Sequence, residues 1–126
     1  QMGEPPAAAP ALKAAPPRYD AKAALVDLRQ TGSLSAKAIR AAFKNLPQDA
    51  TDCYPAAALA AGWHKAVTVV TVKMEIDEDG RGARVHAKGG PPGLSECVAS
   101  AARRVRSRQR PDTGIVGLRF KLRFSL

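Results

Sequence analysis

No run of about 18 apolar residues occurs in the chain, so no transmembrane helix is expected. No secretory hydrophobic region is visible either. Aromatic residues make up only 5% of the 126 positions. With alanine abundant, that predicts a thin core in one domain, with no room for a second. Histidine is scarce: His64 and His86 are the only two. His64 adjoins Trp63, and His86 stands between Arg84 and Lys88 in an alternating stretch. No nucleophile–base pair or carboxylate pair is suggested by spacing, so the sequence points away from catalysis, from a metal site and from any cofactor. Acidic residues are also few, 11 against 20 lysines and arginines. The net charge of +9 and the pI near 10.2 predict attraction to something anionic.

What the chain does have is one long alternating run at its C-terminal end, Ile115 to Leu126. Leu118, Phe120, Leu122, Phe124 and Leu126 point one way, and Gly117, Arg119, Lys121, Arg123 and Ser125 point the other. Strict period two predicts a half-buried strand with a basic, wet outer face. A second alternating run covers 66–76, with Val70, Val72, Met74 and Ile76 on one side. A third covers 82–88, with Ala83, Val85 and Ala87 opposed to Arg84, His86 and Lys88. Between them Asp77-Glu78-Asp79-Gly80 reads as a hairpin turn. It lacks the ligand spacing of a calcium loop. Gly89-Gly90-Pro91-Pro92-Gly93 is a loop without the Lys-Ser/Thr ending of a phosphate-binding loop.

Helical patterns fill the rest. Residues 1–19 hold Pro5, Pro6, Pro10, Pro16 and Pro17 and read as a semi-rigid linker or tail. Residues 20–33 read as a short helix and connection, with Asp20 as cap and Leu25 and Leu28 as a weak stripe. Ser35 caps a helix over 36–46 with Ala38, Ile39, Ala42, Phe43 and Leu46 inward, and Pro47 ends it. A further helical piece covers 48–61, with Cys53, Ala57, Leu59 and Ala60 inward. Pro55 either kinks it or starts a new helix at its first turn. The last helix covers 94–107 with Leu94, Cys97, Val98, Ala101 and Val105 inward. Its end is a basic run: Arg103, Arg104, Arg106, Arg108 and Arg110. Trp63 and Tyr54 read as core-capping aromatics rather than partner contacts.

Together these elements predict an α+β domain over 34–126: a three-stranded antiparallel sheet with helices packed on one face. The other face collects Lys73, Arg84, His86, Lys88, Arg119, Lys121 and Arg123. Cys53 and Cys97 fit no zinc or redox motif. They are either two buried thiols or one disulfide between inward helix faces. A bridge closes a loop worth about 3–4 kcal/mol in the chain-entropy model and implies an oxidising compartment.

From Leu34 to Leu126 the chain resembles the TonB-like C-terminal domain of the AgmX/PglI type, found in cell-envelope and gliding-motility proteins. The matching pieces are Ala38-Ile39-Arg40, Cys53-Tyr54, Val70-x-Val72-x-Met74-x-Ile76 with Asp79-Gly80, Cys97-Val98 with Arg103-Arg104-Val105-Arg106, and Leu122-Arg123-Phe124. Pro55, Val105 and the stretch Ser107–Pro111 depart from the family pattern. The resemblance implies a periplasmic or envelope location in a Gram-negative bacterium, a protein partner, and function by contact. The partner segment is expected to add beside the C-terminal strand, at Leu118, Arg119, Phe120, Lys121, Leu122, Arg123 and Phe124, as an extra strand. A basic patch of Arg84, Lys88, Arg103, Arg104, Arg106, Arg108 and Arg110 offers a second contact. The alternatives are a structural subunit of a larger envelope assembly, or a binder of an anionic glycan or lipid headgroup. Nucleic acid fits least, because no aromatics interleave with the open-face cations.

Overall fold

The computed structural model describes residues 21–111 and 114–126, and these form four strands and four short helices. In chain order they are β1 (Lys22–Thr31), α1 (Ala36–Ala42), α2 (Leu46–Thr51), α3 (Tyr54–Ala61), β2 (Val67–Ile76), β3 (Gly82–Lys88), α4 (Leu94–Arg103) and β4 (Val116–Ser125). The proline-rich stretch 1–19 and the Asp20 cap lie outside the described residues.

The strands form one antiparallel sheet in the order β1-β4-β2-β3. The α+β class and the single helix-covered face are as the sequence predicts; the strand count is four rather than three. The extra strand is β1, where a helix is expected. Leu25 and Leu28 are three apart, which mimics a helical stripe. In a regular strand they face opposite sides. Here the pairing passes from Val26–Lys121 to Arg29–Arg119, so Asp27 and Leu28 together oppose Phe120. That bulge returns Leu28 to the inner face, and both leucines pack on the core.

The same strand overturns the expectation that β4 is an edge. β4 lies between β1 and β2 and pairs with both. Leu118, Phe120, Leu122 and Phe124 are buried under the helices with Val70, Val72, Met74, Ile76 and Val85, the inner face read from the alternation. Phe43 meets Phe120 edge-on at 5.3 Å, and Tyr54 stacks on Phe124 at 5.4 Å. A half-buried Trp63 closes one end of this core and donates from Nε1 to Thr68 Oγ1 at 2.7 Å.

Prolines divide the helical layer, and Pro55 does so by starting a new helix, one of the two outcomes expected of it. α1 stops at Phe43, and Pro47 and Pro55 each stand in the first turn of a new helix, α2 and α3, where their missing N–H costs nothing. The break at Asp52–Cys53 rotates α3, so Leu59 is exposed rather than inward. α4 is shorter than expected and ends at Arg103, yet Val105 beyond it is still buried. The cysteines form a disulfide, Cys53–Cys97, joining the start of α3 to α4 across 5.7 Å between Cα atoms. Cys53 is buried, whereas Cys97 lies on the exposed side of α4, contrary to the inward position expected of it.

The β2–β3 hairpin turns as predicted. The Asp77 carboxylate accepts from the N–H groups of Asp79 and Arg81, both at 2.9 Å. The bond from Arg81, with that from Asp79, holds this carboxyl below its ordinary value. Gly80 sits at φ 82, and any Cβ there would run into the carbonyl of Ser107, so this turn accepts glycine alone.

Candidate anion-binding site

The open face of the sheet is built by the residues that alternate outward. Cross-strand register places Arg29 beside Arg119, Arg119 beside Lys73, and Lys73 beside His86. This row crosses all four strands, a span of about 14 Å at the usual strand spacing. All four side chains are exposed. The next rung toward the end of the sheet reads Thr31, Gly117, Glu75 and Ala83. On the other side of the row, Lys121 and Lys88 continue the positive charge, with Arg123 beyond.

Two bulges aim the ends of the row. One is the Asp27–Leu28 bulge of β1. The other is in β3, where pairing passes from Lys73–His86 to Glu75–Ala83, so Arg84 and Val85 together oppose Met74. It turns Val85 into the core and leaves Ala83 opposite Glu75, on the open face, where regular alternation puts it inward. Each bulge holds a non-glycine residue at positive φ, Asp27 at 53° and Arg84 at 49°. Such backbone costs on the order of 1–3 kcal/mol at each position and concentrates at functional sites.

Charge pairing on this face is partial. Arg84 Nε lies 3.4 Å from Glu75 Oε1, and Lys121 Nζ lies 3.8 Å from Asp27 Oδ2. Among the described residues Arg29, Arg119 and Lys73 have no carboxylate partner. Like charges placed directly opposite on a sheet are unfavourable, so the row is maintained against its own repulsion. At the Gly117 end the twisted face forms a concave cavity of about 620 Å³, lined by Arg29, Arg119, Lys73, Arg84, His86 and Glu75 among others. Gly117 deepens it, because a Cβ there would stand 2.7 Å from Thr31 Oγ1.

Sequence-predicted residues divide among three places. Arg119, Lys121, Arg123, Arg84 and Lys88 meet on the open face. Leu118, Phe120, Leu122 and Phe124, expected to contact a partner, are core. The arginine run lies elsewhere. Arg106 Nη1 donates to the carbonyls of Arg103 and Val105, at 2.7 and 2.8 Å, and so caps the end of α4. Gln109, within the same run, accepts from Ser35, the N-cap of α1, at 3.3 Å, which puts the run beside the helical layer. Arg103, Arg104, Arg108 and Arg110 are exposed. Arg29 is the functional candidate that sequence reasoning missed; the signal available was the brief alternation of Lys22, Ala23, Ala24 and Leu25. Among the described residues no cluster of histidine, cysteine and carboxylates could hold a metal ion. Comparison with protein-family models, with curated proteins and with solved structures returns no match.

Proposed function

We propose that this domain is a non-catalytic binding module that takes an anionic partner on the open face of its sheet. The observation that supports this reading most is the row Arg29–Arg119–Lys73–His86, continued by Lys121, Lys88 and Arg123. It assembles positive charge from four strands where sheet stability favours alternation of sign. The disulfide favours an oxidising, extracytoplasmic setting. With the TonB-like resemblance, that makes the periplasm or cell envelope the compartment of choice, and an acidic protein segment or anionic envelope polymer the partner.

The test is titration with a sulfated polysaccharide at several salt concentrations. Replacing Arg119, Lys121 and Arg123 together by Gln is expected to weaken binding on the order of tenfold or more and to flatten its salt dependence. The same change at Arg104, Arg108 and Arg110 is expected to leave it within about twofold. The reverse ranking overturns the reading.

Strand addition is a second reading, relocated. Both sides of β4 are occupied, so among the described residues the available edge is the outer side of β1, where Lys22–Val26 runs straight up to the bulge. The outer side of β3 is less accessible, because Arg81 bridges to Arg106 there and Arg84 interrupts the strand.

A further inference from the structure

Building on that reading of the open face, we infer that the cavity at its Gly117 end is a discrete site for a compact anion carrying several phosphate groups. Three independent features converge on it. The first is size: about 620 Å³ lies within the range that encloses small ligands. The second is charge. Arg29, Arg119, Lys73 and Arg84 face one carboxylate, Glu75, which leaves a surplus of three positive charges before His86 is counted. The third is backbone geometry. Both bulges of the sheet flank this cavity, and each is held by a non-glycine residue at positive φ.

The bulges do specific work. Without the one in β1, the residue opposite Arg119 is Leu28 rather than Arg29. Without the one in β3, the residue opposite Lys73 is Val85 rather than His86. Each bulge therefore converts an apolar position of the row into a cationic or titratable one. The Glu75 contact holds Arg84 at the rim. Three guanidinium groups from three different strands border one bowl. A guanidinium presents a flat fork of donors that grips two oxygens of an oxyanion. A carboxylate offers its acceptor sites in a single plane, so it suits forks approaching in that plane. A tetrahedral phosphate offers oxygens in several directions, and a chain of phosphates offers them along the row. Among the described residues no Phe, Tyr or Trp lines the cavity, so a nucleobase or a neutral sugar lacks the broad apolar platform on which such groups stack. Recognition falls on the phosphates themselves.

The experiment is calorimetric titration of the disulfide-intact protein with inorganic triphosphate and with orthophosphate at low ionic strength. Arg119→Gln, Lys73→Gln and Arg123→Gln are compared with the native chain. Triphosphate is expected to bind at one site, more tightly than orthophosphate. Arg119→Gln and Lys73→Gln are expected to weaken it roughly tenfold each, and Arg123→Gln, outside the cavity, less than about twofold. These are exposed residues, and a cooperative thermal transition no lower than that of the native chain confirms that the variants are folded. Phosphatidylcholine vesicles with and without phosphatidic acid distinguish the source. Binding to the phosphatidic acid vesicles that triphosphate displaces identifies a lipid headgroup as the bearer; triphosphate binding without vesicle binding identifies a free anion. The inference is overturned if triphosphate does not bind, or if Arg123→Gln weakens it as much as Arg119→Gln. If sulfated polysaccharide still binds through the face in that case, the general reading survives while the discrete site does not. If neither anion responds to the face charges, both fail.

Discussion

β4 has a neighbour on each side, and the two are held in different ways. β2 pairs with it over ten consecutive positions and buries Val70, Val72, Met74 and Ile76 almost completely. β1 pairs with it over eight positions, broken by a bulge, and no residue of Lys22–Thr31 is fully buried. The ladder hydrogen bonds are of the same kind on both sides. What differs is the apolar area removed from water, which is the larger stabilising term. β2 builds the core, whereas β1 widens the open face and supplies Arg29 and Thr31 to it.

That contrast can be broken by paired truncations. Ile76→Ala on β2 is expected to destabilise by about 2–5 kcal/mol. Leu25→Ala on β1, half-buried, should cost roughly 1 kcal/mol. Denaturant unfolding measures both; equal costs would make β1 as integral as β2. Amide exchange is a second view of the same difference, with β1 amides opening ahead of the β2–β4 ladder. Reduction of Cys53–Cys97 comes next, at about 3–4 kcal/mol. It should lower the global unfolding midpoint while leaving the exchange order of the two ladders unchanged, because the bridge joins two helices and spans neither ladder.

Smaller effects sharpen the picture on the open face. Arg119→Gln relieves like-charge contacts on both sides and is expected to raise stability by about 0.2–1 kcal/mol while anion binding falls. Thermal unfolding with and without triphosphate separates the two. Least in size is the hairpin carboxylate. Asp77 titrates below its ordinary 3.8 in the folded chain, so its contribution is complete above that value and disappears as the pH falls through the lowered one. The stability difference between the native chain and Asp77→Asn should therefore be largest near neutrality and close as the pH drops below 3.8.

The elements legible in the sequence were those whose period stayed regular. β4 and β2 alternate without interruption, the Asp-Gly turn names its hairpin, and Ser35 caps α1 as its position predicts. β1 was hidden by its own bulge, since an added residue turns a two-residue period into the three-residue spacing of Leu25 and Leu28. The bulge in β3 likewise moved Ala83 to the opposite face. Missing β1 misplaced the sheet edge and left Arg29 out of the site, because edge status depends on the whole strand order and not on the strand itself. The face cations Arg119, Lys121 and Arg123 were legible, since alternation alone assigns a face.

The antiparallel pairing of β1 with β4 has a mechanical consequence. Lys22 and Ser125 are cross-strand partners at one end of the sheet. Tension between them therefore pulls across the ladder and opens β1 from β4 one rung at a time, rather than shearing all rungs together. The first rungs to part lie farthest from the bulge, and the last are those beside Arg29 and Arg119. Behind them, the Cys53–Cys97 bond encloses the β2–β3 hairpin in a covalent loop that the same force cannot extend. Under load the domain would yield first at one strand and keep a locked remainder.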